Sequence, residues 1–208
     1  MLSLVLVRHG HVEGISPPSF RGRTDLPLTP TGTRQAAMTR DRLAGRITPA
    51  AVYASPLSRC MSTARIIGEP HARAPVVLPG FNDIDYGEWQ GRSYEEVARS
   101  DPAGFAAWRR TPHLAEIPGG ESLFGVARRV ADTVRMLLAR HQGETVVLVG
   151  HDSVNRVLLL LALDLSLSHY WRLRQSPAAI NELSHSEKDG WVVTSINETA
   201  HLGAGSDA

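Results

Sequence analysis

Short apolar runs alternate with stretches of helical periodicity along most of the chain. Ser3 to Val7 has strand character, and Thr31 to Leu43 carries a helical pattern opened by Thr29-Pro30. Ala51 to Ala54 predicts a second buried strand, and Leu57 to Ile67 a helix stopped at Gly68-Glu69-Pro70. Val76 to Leu78 predicts a third short strand. The cleanest helical pattern is Leu123, Val126, Val130, Val134, Leu137 and Leu138, with Glu121 expected in its first turn. Thr145 to Val149 is a wholly apolar strand, followed by a buried helix over Val154 to Leu163. Ala178 to Leu183 and Trp191 to Ile196 predict a closing hairpin around Lys188-Asp189-Gly190.

Strands interleaved with helices imply an α/β fold: a three-layer α/β/α sandwich whose mostly parallel central sheet has an antiparallel addition near its end. The chain is expected to be one domain over 1–208. From about 84 to 120 it carries Gly87, Gly91, Pro102, Pro112, Pro118 and Gly119-Gly120, which predicts a lid-like irregular insertion over the sheet. The tail 203–208 is small and polar and is expected to fray.

Charge narrows the function. Lys+Arg 22 against Asp+Glu 21 gives a net +1, which lacks the electrostatic footprint of a nucleic-acid or membrane binder. No apolar run approaches the roughly 20 residues that span a bilayer. One Cys excludes an internal disulfide and a Cys-rich zinc site, so a cytoplasmic protein is expected. Lys188 is the only lysine, which removes a Walker lysine and makes every other basic residue of that count an arginine. Arginine favours planar, bidentate contacts with phosphate and carboxylate.

In open α/β sheets ligands bind beyond the carboxyl ends of the strands. There the sequence puts Arg8, His9 and Gly10; Ser55, Pro56 and Arg59; Asp83 and Asp85; and Gly150, His151 and Asp152. Arginines can hold a dianion, a neutral imidazole can attack phosphorus, and a carboxylic acid can protonate a departing oxygen. Phosphoryl transfer fits this set. A metal site is the competing reading, and Arg8 and Arg59 beside the histidines argue against it. Cys60 and Arg65 have the wrong spacing for a thiolate phosphatase loop and fall within a predicted helix.

Seven blocks in order carry a resemblance: Leu6-Val7-Arg8-His9-Gly10; Gly22 to Thr29 (GRTDLPLT); Thr31-Gly32 with Gln35-Ala36; Ala54 to Arg59 (ASPLSR) with Thr63-Ala64; Asp83 to Gly91 (DIDYGEWQG); Gly119 to Ser122; and Val149-Gly150-His151. From Leu2 to Leu202 the chain resembles the histidine phosphatase superfamily, also called phosphoglycerate-mutase-like. The resemblance implies His9 as a nucleophile phosphorylated in turnover, with Arg8, Arg59 and His151 binding the phosphoryl group. It sets Asp83 where the family usually has a Glu general acid, with Glu88 as the alternative, and implies no metal and no cofactor. Val12 and Ile15 stand where members often have Thr and Asn, and Arg21 or Arg23 is the expected replacement as a phosphate ligand. Asp152-Ser153 replaces a frequent Gly-Gly, which brings Asp152 among the candidate substrate contacts.

The expected activity is a phosphomonoesterase acting on a small phosphorylated metabolite. Two alternatives stand beside it, a phosphoglycerate-type mutase and a non-catalytic phosphate-binding regulatory module. The interval from Asp83 to His151 is short and free of lysine, which favours the phosphatase. Arg92, Arg109, Arg110, His113 and Arg172 are candidates for the substrate entrance. Monomer and homodimer are both open.

Overall fold

The computed structural model describes residues 1–203. Its sheet has six strands: β1 (Leu2–Arg8), β2 (Ala51–Ala54), β3 (Pro75–Val77), β4 (Thr145–Gly150), β5 (Ile180–Ser186) and β6 (Gly190–Glu198), in the order β3-β2-β4-β1-β5-β6. Strands β1 to β4 are mutually parallel, and β5 and β6 close the sheet antiparallel. Six α-helices accompany them: α1 (Pro30–Ala44), α2 (Ser58–Gly68), α3 (Tyr94–Ser100), α4 (Pro102–Arg110), α5 (Leu123–Arg140) and α6 (Asp152–Ala162).

Alternate residues of a strand point to opposite faces, and here both faces are covered. Leu4, Leu6, Tyr53, Val146 and Leu148 pack against α5 and α6, whereas Val5, Val7, Val52, Val147 and Val149 meet Leu43 of α1 and Cys60, Ala64 and Ile67 of α2. This is the expected three-layer sandwich. Burial on both sides explains why β1 and β4 read as unbroken apolar runs.

Register fixes where chemistry can gather. Arg8 pairs with Gly150, and Ala54 with Val149 and Val77, so all four parallel strands end on one edge. β5 runs the other way, and Val7 pairs with Ile180, so the loop leading into β5 reaches that same edge.

Segment 84–120 contains α3 and α4 joined through Asp101, whose side chain caps α4 by accepting from the Gly104 N–H at 2.9 Å. Its Trp89 and Trp108 are buried among Phe20, Tyr86 and Tyr170, which ties the segment to the sandwich through aromatic packing. Glu121 departs from expectation: Ser122 caps α5 by accepting from the Gly125 N–H, and Glu121 lies before the helix, bound to Arg129. The third strand ends at Val77, freeing buried Leu78 to lead into the 3₁₀ turn Pro79–Phe81. The tail beyond Gly203 lies outside the described residues.

The loop after β1 crosses the first turn of α1 backbone to backbone. A Cβ on Gly32 would stand 2.1 Å from the His11 carbonyl oxygen, whereas one on Gly45, at the far end of α1, would meet nothing within 4 Å. Gly32→Ala is therefore expected to destabilise the protein by about 2 kcal/mol or more, and Gly45→Ala by less than about 0.5 kcal/mol in either direction. Thermal denaturation of the two variants checks this, and a Gly32→Ala melting temperature equal to wild type would contradict it.

Candidate active site

Arg8 is the last residue of β1, and His9 follows it with its N–H donating to the Gly150 carbonyl at 3.0 Å. The His9 ring Nδ1 lies 2.7 Å from the Gly10 carbonyl oxygen. A carbonyl can only accept, so Nδ1 carries the proton and Nε2 keeps its lone pair. The ring of His151 stands edge-on to that of His9, 5.2 Å between centroids.

Arg59, in the first turn of α2, is fully buried. Its Nε donates to His151 Nδ1 at 3.2 Å, Nη1 to the Thr24 carbonyl and Nη2 to the Gly22 carbonyl, both at 2.7 Å. Nη2 also pairs with Asp83 Oδ2 at 3.1 Å. Because Arg59 occupies the Nδ1 lone pair of His151, its Nε2 carries the proton and donates to Ser55 Oγ at 2.7 Å. Asp83 Oδ2 lies 3.4 Å from His151 Nδ1, with the Arg59 guanidinium serving both acceptors.

The Asp83 segment is held from behind by Arg129 of α5. Its guanidinium donates to the carbonyls of Gly80, Asn82 and Asp83 and is neutralised by Glu121 at 2.8 Å. Burial, reinforced by the Arg59 charge, holds the pKa of both His9 and His151 well below the ordinary imidazole value, so both rings are neutral at pH 7. Burial also lowers Arg8 to about 10, still fully charged. Burial pushes the Cys60 thiol up, which makes it unreactive although its Sγ lies 3.4 Å from His151 Nε2.

The sequence-derived candidates separate into groups. Arg8, His9, Arg59, Asp83 and His151 form one buried cluster. Beside it opens a cavity of about 260 Å³ lined by Arg8, Arg21, Asp152, Arg156, Trp171 and Arg174, among others. Arg21 reaches that cavity while donating to the Gly14 carbonyl. Asp152 holds Arg156 at 2.9 Å, and the Arg156 guanidinium stacks 4.9 Å from the Trp171 ring centre. Arg23 instead pairs with Asp85 at 3.1 Å and Glu121 at 3.4 Å. Glu88 is exposed on the turn Gly87–Trp89. Among the proposed entrance residues, Arg109 stacks on Trp171 and Arg92 bonds Ser100, and neither lines the cavity.

Sequence reading placed Ser55 at the strand ends, did not single out Arg156 as a cavity residue and missed Arg174 and Trp171. The Asp152–Arg156 spacing of four on a helix was the available signal for the first. A larger cavity, about 560 Å³, lies at the opposite strand ends against Leu2, Leu138 and His185, with Glu187 and Lys188 in its lining and no arginine.

Comparison with known proteins places this geometry in context. Residues 4–199 match the model of the histidine phosphatase superfamily (branch 1). The chain is 33% identical over 203 residues to Phosphoserine phosphatase 1 of Hydrogenobacter thermophilus, spanning 98% of this chain and 95% of that protein. It is 29% identical over 211 residues to a probable phosphoglycerate mutase of Yersinia pestis, spanning 97% of this chain and 95% of the relative. The solved structure of Bacillus stearothermophilus YhfR superposes with a TM-score of 0.91 at 27% identity, covering 97% of this chain and 100% of the other.

The depressed imidazoles have a thermodynamic consequence. An imidazole whose pKa falls on folding leaves stability intact above the unfolded value, about 6.5, and costs stability as pH drops below it. His9 and His151 together should remove on the order of 2 kcal/mol between pH 6.5 and 5.5. Denaturant unfolding at these two pH values should show a smaller loss for His9→Gln than for wild type, and equal losses would refute the effect.

Proposed function

Since the chain belongs to the histidine phosphatase superfamily and is a phosphomonoesterase of small phosphorylated metabolites, we propose that His9 accepts the phosphoryl group within a cradle of Arg8, Arg59 and His151. The observation that carries this reading is the His9 ring itself. Its Nδ1 proton is committed to the Gly10 carbonyl, so a neutral Nε2 lone pair is available beside two buried guanidiniums.

In the proposed cycle Nε2 of His9 bonds to phosphorus as the bond to the ester oxygen breaks, and Asp83 passes its proton to that oxygen. Water then attacks phosphohistidine and gives a proton to the Asp83 carboxylate. Inorganic phosphate leaves, and both His9 and the carboxylic acid are restored. The proton that Asp83 passes on enters with a substrate monoanion, whose second phosphate ionisation lies near pH 6. Asp83 is preferred to Glu88 because it shares Arg59 with His151, whereas Glu88 is exposed.

The preferred substrate carries a second anionic group. Arg21, Arg156 and Arg174 around the cavity support this, as do relatives named for phosphoserine and phosphoglycerate, both carboxylates. We further read the enzyme as one cytoplasmic domain in which residues 84–120 serve as a lid. Hydrolysis is preferred to mutase action, which the Yersinia relative's name keeps as the second reading.

Phosphate release from a panel of monoesters in EDTA tests the assignment. His9→Ala should abolish release, and Arg8→Ala and Arg59→Ala should each cost about 2 to 4 kcal/mol in kcat/KM. Arg156→Ala should raise KM for phosphoserine and leave glycerol phosphate unchanged. Activity retained in His9→Ala would remove the nucleophile, and bisphosphate-dependent isomerisation of 3-phosphoglycerate faster than its hydrolysis would favour the mutase.

A further inference from the structure

Asp83 has a short side chain, and its useful oxygen must be aimed. Oδ1 accepts from the Ile84 N–H at 2.9 Å and from Ser153 Oγ at 2.5 Å, which leaves Oδ2 towards Arg59 and His151. Ser153 lies in the first turn of α6 and is 2% exposed. Serine at such a place commonly serves the helix, but the described hydrogen bonds of this hydroxyl leave α6: it donates to Asp83 and accepts from the Ile84 N–H at 3.3 Å. The hydroxyl thus clips the turn that follows His151 to the segment that carries Asp83.

The other charged groups around Asp83 leave this task to Ser153. Arg129 and Arg23 engage its main-chain carbonyl and not its carboxylate. Arg59 pairs with Oδ2 through one nitrogen, and both its Nη groups also serve the Thr24 and Gly22 carbonyls. Without the Ser153 bond, rotation of the carboxyl group about its terminal torsion, which is broad for Asp, would be opposed at Oδ1 only by one main-chain N–H.

We infer that Ser153 is a positioning residue that aims Asp83 Oδ2 at the leaving oxygen and so sets the efficiency of leaving-group protonation. The inference rests on the reading of Asp83 as the acid. The step is the one given above, with the Asp83 proton moving to the ester oxygen as its bond to phosphorus breaks.

Leaving-group dependence tests it. Ser153→Ala, Ser153→Cys, Ser153→Thr and Asp83→Asn are compared on p-nitrophenyl phosphate, whose leaving group needs no proton, and on the best alkyl monoester of the panel. Ser153→Ala and Ser153→Cys should lower kcat/KM on the alkyl ester, which reports phosphoryl transfer to His9 and not the later hydrolysis shared by both esters, by about 10- to 100-fold, the scale of a misplaced catalytic group, with p-nitrophenyl kcat/KM nearly constant. Ser153→Thr, which keeps the hydroxyl, should recover most of the alkyl activity. Equal losses on both esters, or none, in folded Ser153→Ala or Ser153→Cys would overturn the inference. If Asp83→Asn discriminates between the esters and the Ser153 variants do not, positioning alone fails. If Asp83→Asn does not discriminate, the acid assignment fails and the inference with it.

Discussion

A guanidinium with no solvent exposure is the constraint on which the site depends. Removing Arg59 from water costs several kcal/mol, and that cost is offset only where surrounding acceptors have good geometry. Its acceptors come from three separate parts of the chain: the carbonyls of Gly22 and Thr24, the Asp83 carboxylate, and the Nδ1 of His151. Satisfying one buried cation therefore brings together the loop between β1 and α1, the segment after β3 and the turn after β4. Gly22 is suited to its share, since it takes φ +46°, a conformation that glycine adopts without strain.

The same contact sets proton positions. By donating to His151 Nδ1, Arg59 fixes the tautomer that donates to Ser55, and its charge adds to burial in keeping His151 unprotonated. The Gly10 carbonyl fixes the tautomer of His9. Neutral histidines between fixed cations make a site that receives an anion without first losing a proton. Preorganised charge of this kind accounts for much of phosphoryl-transfer catalysis.

The fold was legible in the sequence because double burial erases alternation. Ser3 to Val7 and Thr145 to Val149 read as continuous apolar runs, and strands of that kind belong in the centre of parallel sheets. Once the strands were placed, Arg8, His9, Arg59, Asp83 and His151 followed from the rule that ligands gather at carboxyl ends. That rule hid Arg174, which precedes β5. An antiparallel strand begins where its parallel neighbours end, so the loop before it belongs to the same edge. Long-range pairing was equally invisible. Arg23 and Glu121 meet across 98 positions, and Glu121 satisfies the preference for acids near helix starts whether it lies inside or just outside the helix.

Charge balance links the cradle to the cavity. Arg59 is paired with one carboxylate in the cluster, Asp83, while Asp152, the carboxylate that acts most on Arg8, is engaged by Arg156 in the cavity wall. Under the proposed function the bound phosphoryl group supplies the negative charge that the cradle lacks, and it competes with Asp83 for Arg59. In the proposed cycle Arg59 would then change partners: its hold on Asp83 slackens while the phosphoryl group is bound and tightens once phosphate has left. Asp152 does not undergo that exchange, because its arginine is held between a carboxylate and two aromatic faces. The reacting end of the site is thereby adaptable in charge, and the end that would recognise the remainder of the substrate is fixed. A rigid cationic wall discriminates by the position of a second anion, whereas the adaptable cradle accepts any phosphate monoester that reaches it.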